Sequence, residues 1–110
     1  MSERPTQLLL EDMLESAQKI AKFTHELGRE AFMADDLVID AVPRNFEVMR
    51  EAASKLSDDF VAEHPDVEWH KIIGMRNRLI HGYFGVSTAI VWEAIQHQLP
   101  TLRDQLLELT

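Results

Sequence analysis

Apolar residues recur every three or four positions along most of the chain, with polar residues between them. This spacing is typical of helices with one buried face, and no stretch alternates as a half-buried strand does. The pattern predicts an all-α antiparallel bundle of four to five helices. The predicted helices cover Gln7–Leu27, Ala34–Leu56, Val67–Gly82 and Thr88–Leu109, and Ser57–Glu63 fits one more short turn of helix.

Three of these helices each carry one apolar stripe, and the stripes should meet in a common core. The first stripe consists of Leu10, Met13, Leu14, Ala17, Ile20, Ala21 and Leu27. The second consists of Leu37, Ala41, Val42, Phe46, Met49, Ala53 and Leu56. The last consists of Val91, Ile95, Leu99, Leu102, Leu106 and Leu109.

Local signals indicate where the helices begin, bend and end. Thr6 and Asp66 are candidate N-caps of the first and third helices, and Gly28 is a candidate stop for the first. Pro43 and Pro100 lie inside helical patterns. Proline lacks the N–H that an interior helical position needs, so Pro43 predicts a kink or break and Pro100 a bend.

The third helix differs from the others because its apolar residues cover more than one face. They are Trp69, Ile72, Ile73, Met75, Leu79 and Ile80. One face can be buried within the bundle, so the remaining width predicts a second packing surface. We therefore expect a symmetric homodimer.

Length and composition restrict the class of protein further. The 110 residues are enough for one core, so we expect a single domain over residues 1–110. The absence of cysteine excludes disulfides and thiolate zinc sites. No apolar run is long enough to span a membrane and no signal peptide is recognisable, so a cytoplasmic protein without a membrane partner is expected.

The net charge of −8 argues against a chain that coats nucleic acid non-specifically, and no DNA partner is expected. The charge is uneven, because the segment Trp69–Val86 contains Lys71, Arg76 and Arg78 but no Asp or Glu. An acidic body with a local basic segment suits a small anionic site better than a long phosphate track.

That basic segment also concentrates the candidate chemistry, with Arg76, Asn77, His81 and Tyr83 within eight positions. Asn77 and His81 are four residues apart and share a helix face. Arg76 and His81 lie about 140° apart around the axis, so both can border one cleft. Tyr83 stands between two glycines, Gly82 and Gly85, where the helix should end.

Two side chains have the chemistry of phosphodiester cleavage. His81 could act as a general acid or base near neutral pH, or it could be a helix-end histidine with a structural hydrogen bond. Arg76 could hold a phosphate and stabilise charge that develops on it, or it could pair with Glu51 or another carboxylate. The two interpretations of Arg76 are compatible.

Three further residues are candidates for binding substrate or nucleotide. Asn77 could orient His81 or bind a nucleotide, with a structural cap as the alternative. Tyr83 could contact RNA through its ring and hydroxyl, or pack at the helix end. Glu51 could contribute a polar group from the neighbouring helix, although a solvated position is the usual role of a lone acidic residue.

The remaining signals are structural. Trp69 and Trp92 lie in apolar helical patterns and are expected to be core or interface anchors. No HExxH pattern or glycine-rich phosphate loop is present, and carboxylates near the motif are sparse. No metal or other cofactor is therefore expected, and cleavage by the 2′-hydroxyl of the RNA itself suits these residues.

The string from Arg76 to Tyr83 resembles the RxxxxHxY signature of HepT-like HEPN domains. The likeness extends through most of the chain, at Arg44–Phe46, Glu51-Ala52, His64-Pro65, Trp69, Ile72–Met75, Phe84–Val86, Val91-Trp92 and Leu99-Pro100. One departure is Arg50, because the family commonly has Gly before the second-helix Glu. Arg50 either adds a cation near the site or prevents a close approach of two helices.

The resemblance implies a HEPN bundle, and a toxin ribonuclease paired with a minimal nucleotidyltransferase antitoxin in a type VII-like system. It implies a homodimer in which Arg76 and His81 of both subunits face one cleft and cleave RNA without a metal. It also implies that the antitoxin attaches AMP to Tyr83. One alternative is a non-catalytic HEPN module, which either binds nucleotide or RNA or serves as a partner subunit of the nucleotidyltransferase. Another alternative is a plain structural bundle, but this would leave the basic segment unexplained.

Overall fold

The computed structural model describes residues 4–74 and 88–110. These ranges contain helices and turns but no strand, so the all-α prediction is confirmed. The helices are α1 Thr6–Thr24, α2 Arg29–Ala34, α3 Asp36–Ser54, α4 Asp58–Glu63, α5 at residues 69–74, α6 Thr88–His97 and α7 Leu99–Leu109. The predicted helix over Ala34–Leu56 corresponds to α3, and the one over Thr88–Leu109 is divided into α6 and α7.

Helix α1 begins at Thr6, one residue earlier than the predicted start at Gln7. Thr6 is already helical, and no side chain caps this end, so the predicted N-cap at Thr6 is wrong. Pro5 occupies the cap position instead, and its carbonyl accepts the N–H groups of Leu8 and Leu9 at 3.0 and 3.1 Å. Because proline fixes φ near −65°, Pro5 directs the chain into the first turn without a side-chain cap.

The other end of α1 lies three residues before the predicted end at Leu27. The hydroxyl of Thr24 is buried and donates to the carbonyl of Ile20 at 2.8 Å, and the N–H of Leu27 donates to the carbonyl of Thr24 at 3.0 Å. Gly28 does not end α1 but occupies the cap position of α2, where its carbonyl accepts the N–H of Phe32 at 2.9 Å. The short helix α2 was not predicted.

Helix α3 begins with a side-chain cap and continues through its proline. The carboxylate of Asp35 accepts the N–H of Val38 at 3.1 Å, which satisfies one of the free donors at the helix start. Pro43 lies inside the helix, which does not break there. Val42 and Phe46, on either side of the proline, are both buried, so core packing holds the two halves in one helix.

Helices α4 and α5 lead towards the motif. The hydroxyl of Ser57 accepts the N–H of Phe60 at 3.1 Å and caps α4, which confirms the predicted short turn. The predicted N-cap at Asp66 is wrong, because α5 begins at residue 69. The carbonyl of Glu68 instead accepts the N–H groups of Lys71 and Ile72 at 3.0 and 3.3 Å.

The last predicted helix is interrupted near Gln98, which separates α6 from α7. The N–H of Gln98 donates to the carbonyl of Ala94 at 3.0 Å, and its own carbonyl accepts the N–H of Leu102 at 3.1 Å. Pro100 lies in the first turn of α7, where the missing N–H leaves no hydrogen bond unmade. The bend predicted from Pro100 therefore corresponds to the junction between two separate helices, α6 and α7.

The core lies between α1, α3 and α7, with α6 and α5 completing it. Its most deeply buried large side chains are Met13, Ile20, Phe32, Val42, Met49 and Leu106. One stripe position was predicted wrongly, because Leu37 is 83% exposed. Leu37 stands in the first turn of α3, two residues after the cap Asp35. Leu9 is buried although the predicted stripe omits it.

The longest helices that the structure describes, α1 and α3, contain 19 residues each. Both carry charged side chains on their outer faces, including Lys19 and Arg44. Within the two described ranges, no helix combines the length and apolar character needed to cross a membrane.

Candidate functional site

Most of the predicted site lies outside the described residues. Arg76, Asn77, His81 and Tyr83 all fall between residues 74 and 88. The structure describes the fifth candidate, Glu51, together with the segments on both sides of the motif. These segments show how the fold holds the residues before and after the undescribed stretch.

The segment before the motif is fixed by Trp69. This side chain is 4% exposed, and its indole N–H donates to the carbonyl of His64 at 3.0 Å. The ring of Phe60 meets Trp69 edge-on at a centroid distance of 6.0 Å, and it also contacts the ring of His64 at 4.5 Å. Burial, a hydrogen bond and an aromatic contact together attach the start of α5 to α4, which confirms the predicted anchoring role of Trp69.

The segment after the motif is attached through α6. Val91, Ala94 and Ile95 are buried in the core. Trp92 is partly buried, and its ring packs on Phe32 of α2 at a centroid distance of 5.1 Å. The predicted anchoring role of Trp92 is confirmed, and the unpredicted helix α2 supplies its partner.

Glu51 lies on the exposed surface of α3, with a side chain that is 54% exposed. Its carboxylate accepts a hydrogen bond from Nη2 of Arg50 at 3.0 Å and lies 3.8 Å from Nζ of Lys55. Glu51 is therefore a solvated residue in an ionic cluster. Its predicted contact with substrate or nucleotide stays a prediction.

Arg50, the departure from the family pattern, has a side chain that is only 15% exposed. Its guanidinium donates to the carboxylate of Glu47 through Nε at 3.1 Å and through Nη2 at 2.8 Å. The hydrogen bond that Arg50 donates to Glu47, followed by the negative charges of Glu47 and Glu51, raises the pKa of Arg50 above its ordinary value. The positive charge of Arg50 is thus matched by carboxylates of its own helix.

A pocket of about 160 Å³ lies between α3, α5 and the junction of α6 with α7. Its apolar lining comprises Phe46, Met49, Ile72, Ala94, Leu99 and Leu102, and its polar lining comprises Asp66, Glu68, Lys71, His97, Gln98, Thr101 and Gln105. A cavity of about 150 Å³ holds a benzene ring, so this pocket has room for one ring or one side chain. The sequence pattern did not predict this pocket, because residues far apart in the chain form it.

The polar edge of this pocket is organised by contacts among its own residues. Lys71 forms an ion pair with Glu68, and this hydrogen bond and charge lower the pKa of Glu68 below its ordinary value. The amide of Gln105 donates to the carbonyl of Asp66 at 3.0 Å. His97 lies on the same edge, with its Nε2 atom 3.1 Å from the carboxylate of Glu93.

Comparison with known proteins gives consistent results. Residues 13–109 match the family described as Ribonuclease HepT-like, and this range includes the motif. A protein of Methanocaldococcus jannaschii, named as a candidate RNase, is 32% identical over 105 residues, which is 96% of each chain. A protein of Thermococcus cleftensis, named as a probable ribonuclease HepT, is 35% identical over 96 residues, which is 87% of each chain. No solved structure matches the chain.

Proposed function

This chain belongs to the HepT-like ribonuclease family, and we propose that it is an endoribonuclease whose reacting groups are Arg76 and His81. The observation that carries this proposal is the family match over residues 13–109, which includes both side chains. The anchoring of both flanks by Trp69 and Trp92 supports it, because a cleavage site needs its groups held in a fixed geometry.

In the proposed reaction, the 2′-oxygen of the RNA attacks the adjacent phosphorus and the bond from phosphorus to the 5′-oxygen breaks. His81 takes the proton from the 2′-hydroxyl, and the leaving 5′-oxygen receives a proton from the second His81 of the proposed dimer or from water. Arg76 binds the phosphate and stabilises the charge that develops on it. Asn77 orients His81, Tyr83 contacts the nucleotide, and Glu51 contributes from α3. No metal takes part in this proposal.

The proposed active form is a homodimer with two Arg76–His81 sets at one cleft. The exposed side chain of Ile73 supports a second packing surface on the motif helix, since it is 39% exposed beside the buried Ile72. Sedimentation at micromolar concentration should show a dimer, and a monomer would contradict this arrangement.

The proposed physiological role is that of the toxin in a type VII-like toxin–antitoxin pair. The antitoxin would be a minimal nucleotidyltransferase that attaches AMP to the phenol of Tyr83. The position of Tyr83 two residues after His81 in the sequence supports this role, because a bulky anionic group attached there would repel RNA from the site. A cytoplasmic location is part of the same proposal.

Induced expression tests the role in cells, with growth and RNA integrity as readouts. Wild type expressed alone should stop growth and degrade RNA, whereas His81→Ala should do neither. Arg76→Ala should also relieve toxicity. Co-expression of the nucleotidyltransferase should rescue wild type but not Tyr83→Phe, which has no hydroxyl to modify. Equal growth of cells that express wild type and His81→Ala would contradict the toxin role.

The second candidate function is a binding module without cleavage, either alone or as a partner subunit of the nucleotidyltransferase. The pocket of about 160 Å³ favours this candidate, because it could bind one ring of a ligand outside the motif. If purified wild type binds nucleotide or RNA but cleaves no RNA, the binding module becomes the better explanation.

A further inference from the structure

A groove runs along the surface between α1 and α7, separate from the pocket beside α5. It consists of two adjoining depressions of about 240 and 490 Å³. Ala21, His25 and Arg103 line both depressions, so the two form one continuous groove. Lys22 borders it from α1, and Asp104 borders it from α7.

The cations of this groove are not used in ion pairs. Within residues 4–74 and 88–110, ion pairs with carboxylates are formed by Arg4, Lys19, Arg50, Lys55 and Lys71. Within the same residues, ion pairs are absent at Lys22, Arg29, Arg44 and Arg103. Two of these unpaired cations, Lys22 and Arg103, border the same groove, and His25 lines it as a further donor. The groove therefore offers two cations that form no ion pair within the described residues, against the single carboxylate of Asp104.

This concentration of charge is informative because the whole chain carries a net charge of −8. A polyanion is repelled by most of such a surface and is attracted where unpaired cations are grouped. The free guanidinium of Arg103 and ammonium of Lys22 can each bind a phosphate without first breaking an internal ion pair. Arg50 differs from these two residues, because its guanidinium already forms ion pairs with the carboxylates of Glu47 and Glu51.

The dimensions of the groove suit a short stretch of nucleic-acid backbone. Its α1 wall extends from Gln18 to at least His25, which corresponds to about 10 Å of helix rise. Phosphates of one strand in a duplex are about 3.4 Å apart along the axis, so this length accommodates at least two of them.

We propose that the groove bordered by Lys22, His25 and Arg103 binds phosphates of the RNA substrate, in addition to the phosphate contact proposed for Arg76. This inference rests on the proposed ribonuclease function, which supplies RNA as the polyanion. The groove holds the strand by its backbone and carries no base specificity, because its donors are phosphate-binding groups. Asp104 is the carboxylate that weakens this binding.

The test measures how salt affects binding of a mixed-sequence single-stranded RNA with methylated 2′-oxygens, which cannot undergo the proposed cleavage. Each phosphate contact on a single strand contributes about 0.7 to the slope of log Kd against log salt concentration. Lys22→Gln with Arg103→Gln should therefore lower the slope by about 1.4. If both proteins bind alike at about 1 M salt, the double variant is about 25-fold weaker at about 0.1 M.

The matched control is Arg4→Gln with Lys19→Gln, which removes the same charge from two ion-paired residues outside the groove. This control should change the slope much less than the groove variant. Equal slopes for wild type and the groove variant would overturn the proposal, and so would an equal decrease in both double variants. Circular dichroism melting confirms that each variant is folded.

A substitution of the opposite sign provides an independent check. Asp104→Asn should strengthen binding of the same RNA, because it removes a negative charge from the groove. Asp40→Asn, on the exposed surface of α3, removes the same charge elsewhere and should have a smaller effect. Equal effects of the two substitutions would show that RNA binding depends only on the net charge of the protein, and would overturn the proposed binding at the groove.

Failure of this inference can be distinguished from failure of the proposed function. Cleavage of unmodified RNA by wild type is measured separately from binding. If wild type cleaves RNA but the groove variant binds like wild type, the ribonuclease assignment stands and the groove is wrong. If wild type neither cleaves nor binds RNA, the proposed function and the groove are both wrong.

Discussion

The two tryptophans that flank the motif are held in different ways. Trp69, before the motif, is 4% exposed, donates a hydrogen bond to the carbonyl of His64 and contacts Phe60. Trp92, after the motif, is partly buried and packs on Phe32. In the part of the chain that the structure describes, its indole makes no hydrogen bond.

This difference indicates how the fold can hold a reactive segment. The upstream flank is attached by burial, a directional hydrogen bond and an aromatic contact, whereas the downstream flank relies on packing. A directional hydrogen bond restricts the orientation of α5 around its axis more than apolar packing does. We infer that the upstream flank contributes more to stability and to positioning of the site.

The largest expected effect is that of Trp69→Ala. Removing a buried tryptophan typically costs about 3–5 kcal/mol of unfolding free energy. Trp92→Ala should cost less, since Trp92 is only partly buried. Chemical denaturation of both variants measures the difference. Equal losses would contradict the inferred dominance of the upstream flank.

A smaller effect is expected for Trp69→Phe, which keeps an aromatic ring but removes the indole donor. The carbonyl of His64 then loses the shorter of its two hydrogen bonds and keeps the one from the N–H of Val67 at 3.3 Å, so the expected cost is about 0.5–1.5 kcal/mol. Trp92→Phe controls for the smaller ring and should cost less, because no hydrogen bond is lost there. The same denaturation assay compares the two, and a greater loss for Trp92→Phe would count against the role of the indole.

The smallest effect concerns the charges at the start of α5, where Lys71 keeps the pKa of Glu68 below its ordinary value. A carboxylate with a lowered folded-state pKa stabilises the protein above its unfolded-state pKa, and this contribution is lost as the pH falls through the folded-state value. Lys71→Gln should move the pKa of Glu68 upward, which a nuclear magnetic resonance titration detects. An unchanged pKa would show that the ion pair does not act in solution.

The fold was largely predictable because regular apolar spacing specifies which face of a helix is buried. The stripes of α1, α3 and α7 were correct at Met13, Phe46 and Leu106, which lie in the core. The errors lie at helix ends, where single contacts decide the outcome. Leu37 follows the helical spacing but is exposed, because a periodic pattern does not show where the neighbouring helices end.

The candidate site stays a prediction at the motif, because Arg76 to Tyr83 lie outside the described residues. The motif is contiguous in sequence, so a candidate chemistry can be proposed for it without a structure. Contacts between distant segments cannot be recognised in this way. The packing of Trp92 on Phe32, the pocket beside α5 and the groove between Lys22 and Arg103 all depend on how separate helices meet.

The central claim is that His81 moves protons in RNA cleavage without a metal. The most direct measurement compares cleavage of single-stranded RNA by purified wild type and His81→Ala, both treated with a chelator. Wild type should cleave, and His81→Ala should be slower by a factor of about 100 or more. Binding of RNA by His81→Ala should be largely retained. Equal cleavage rates of the two proteins would contradict the assignment.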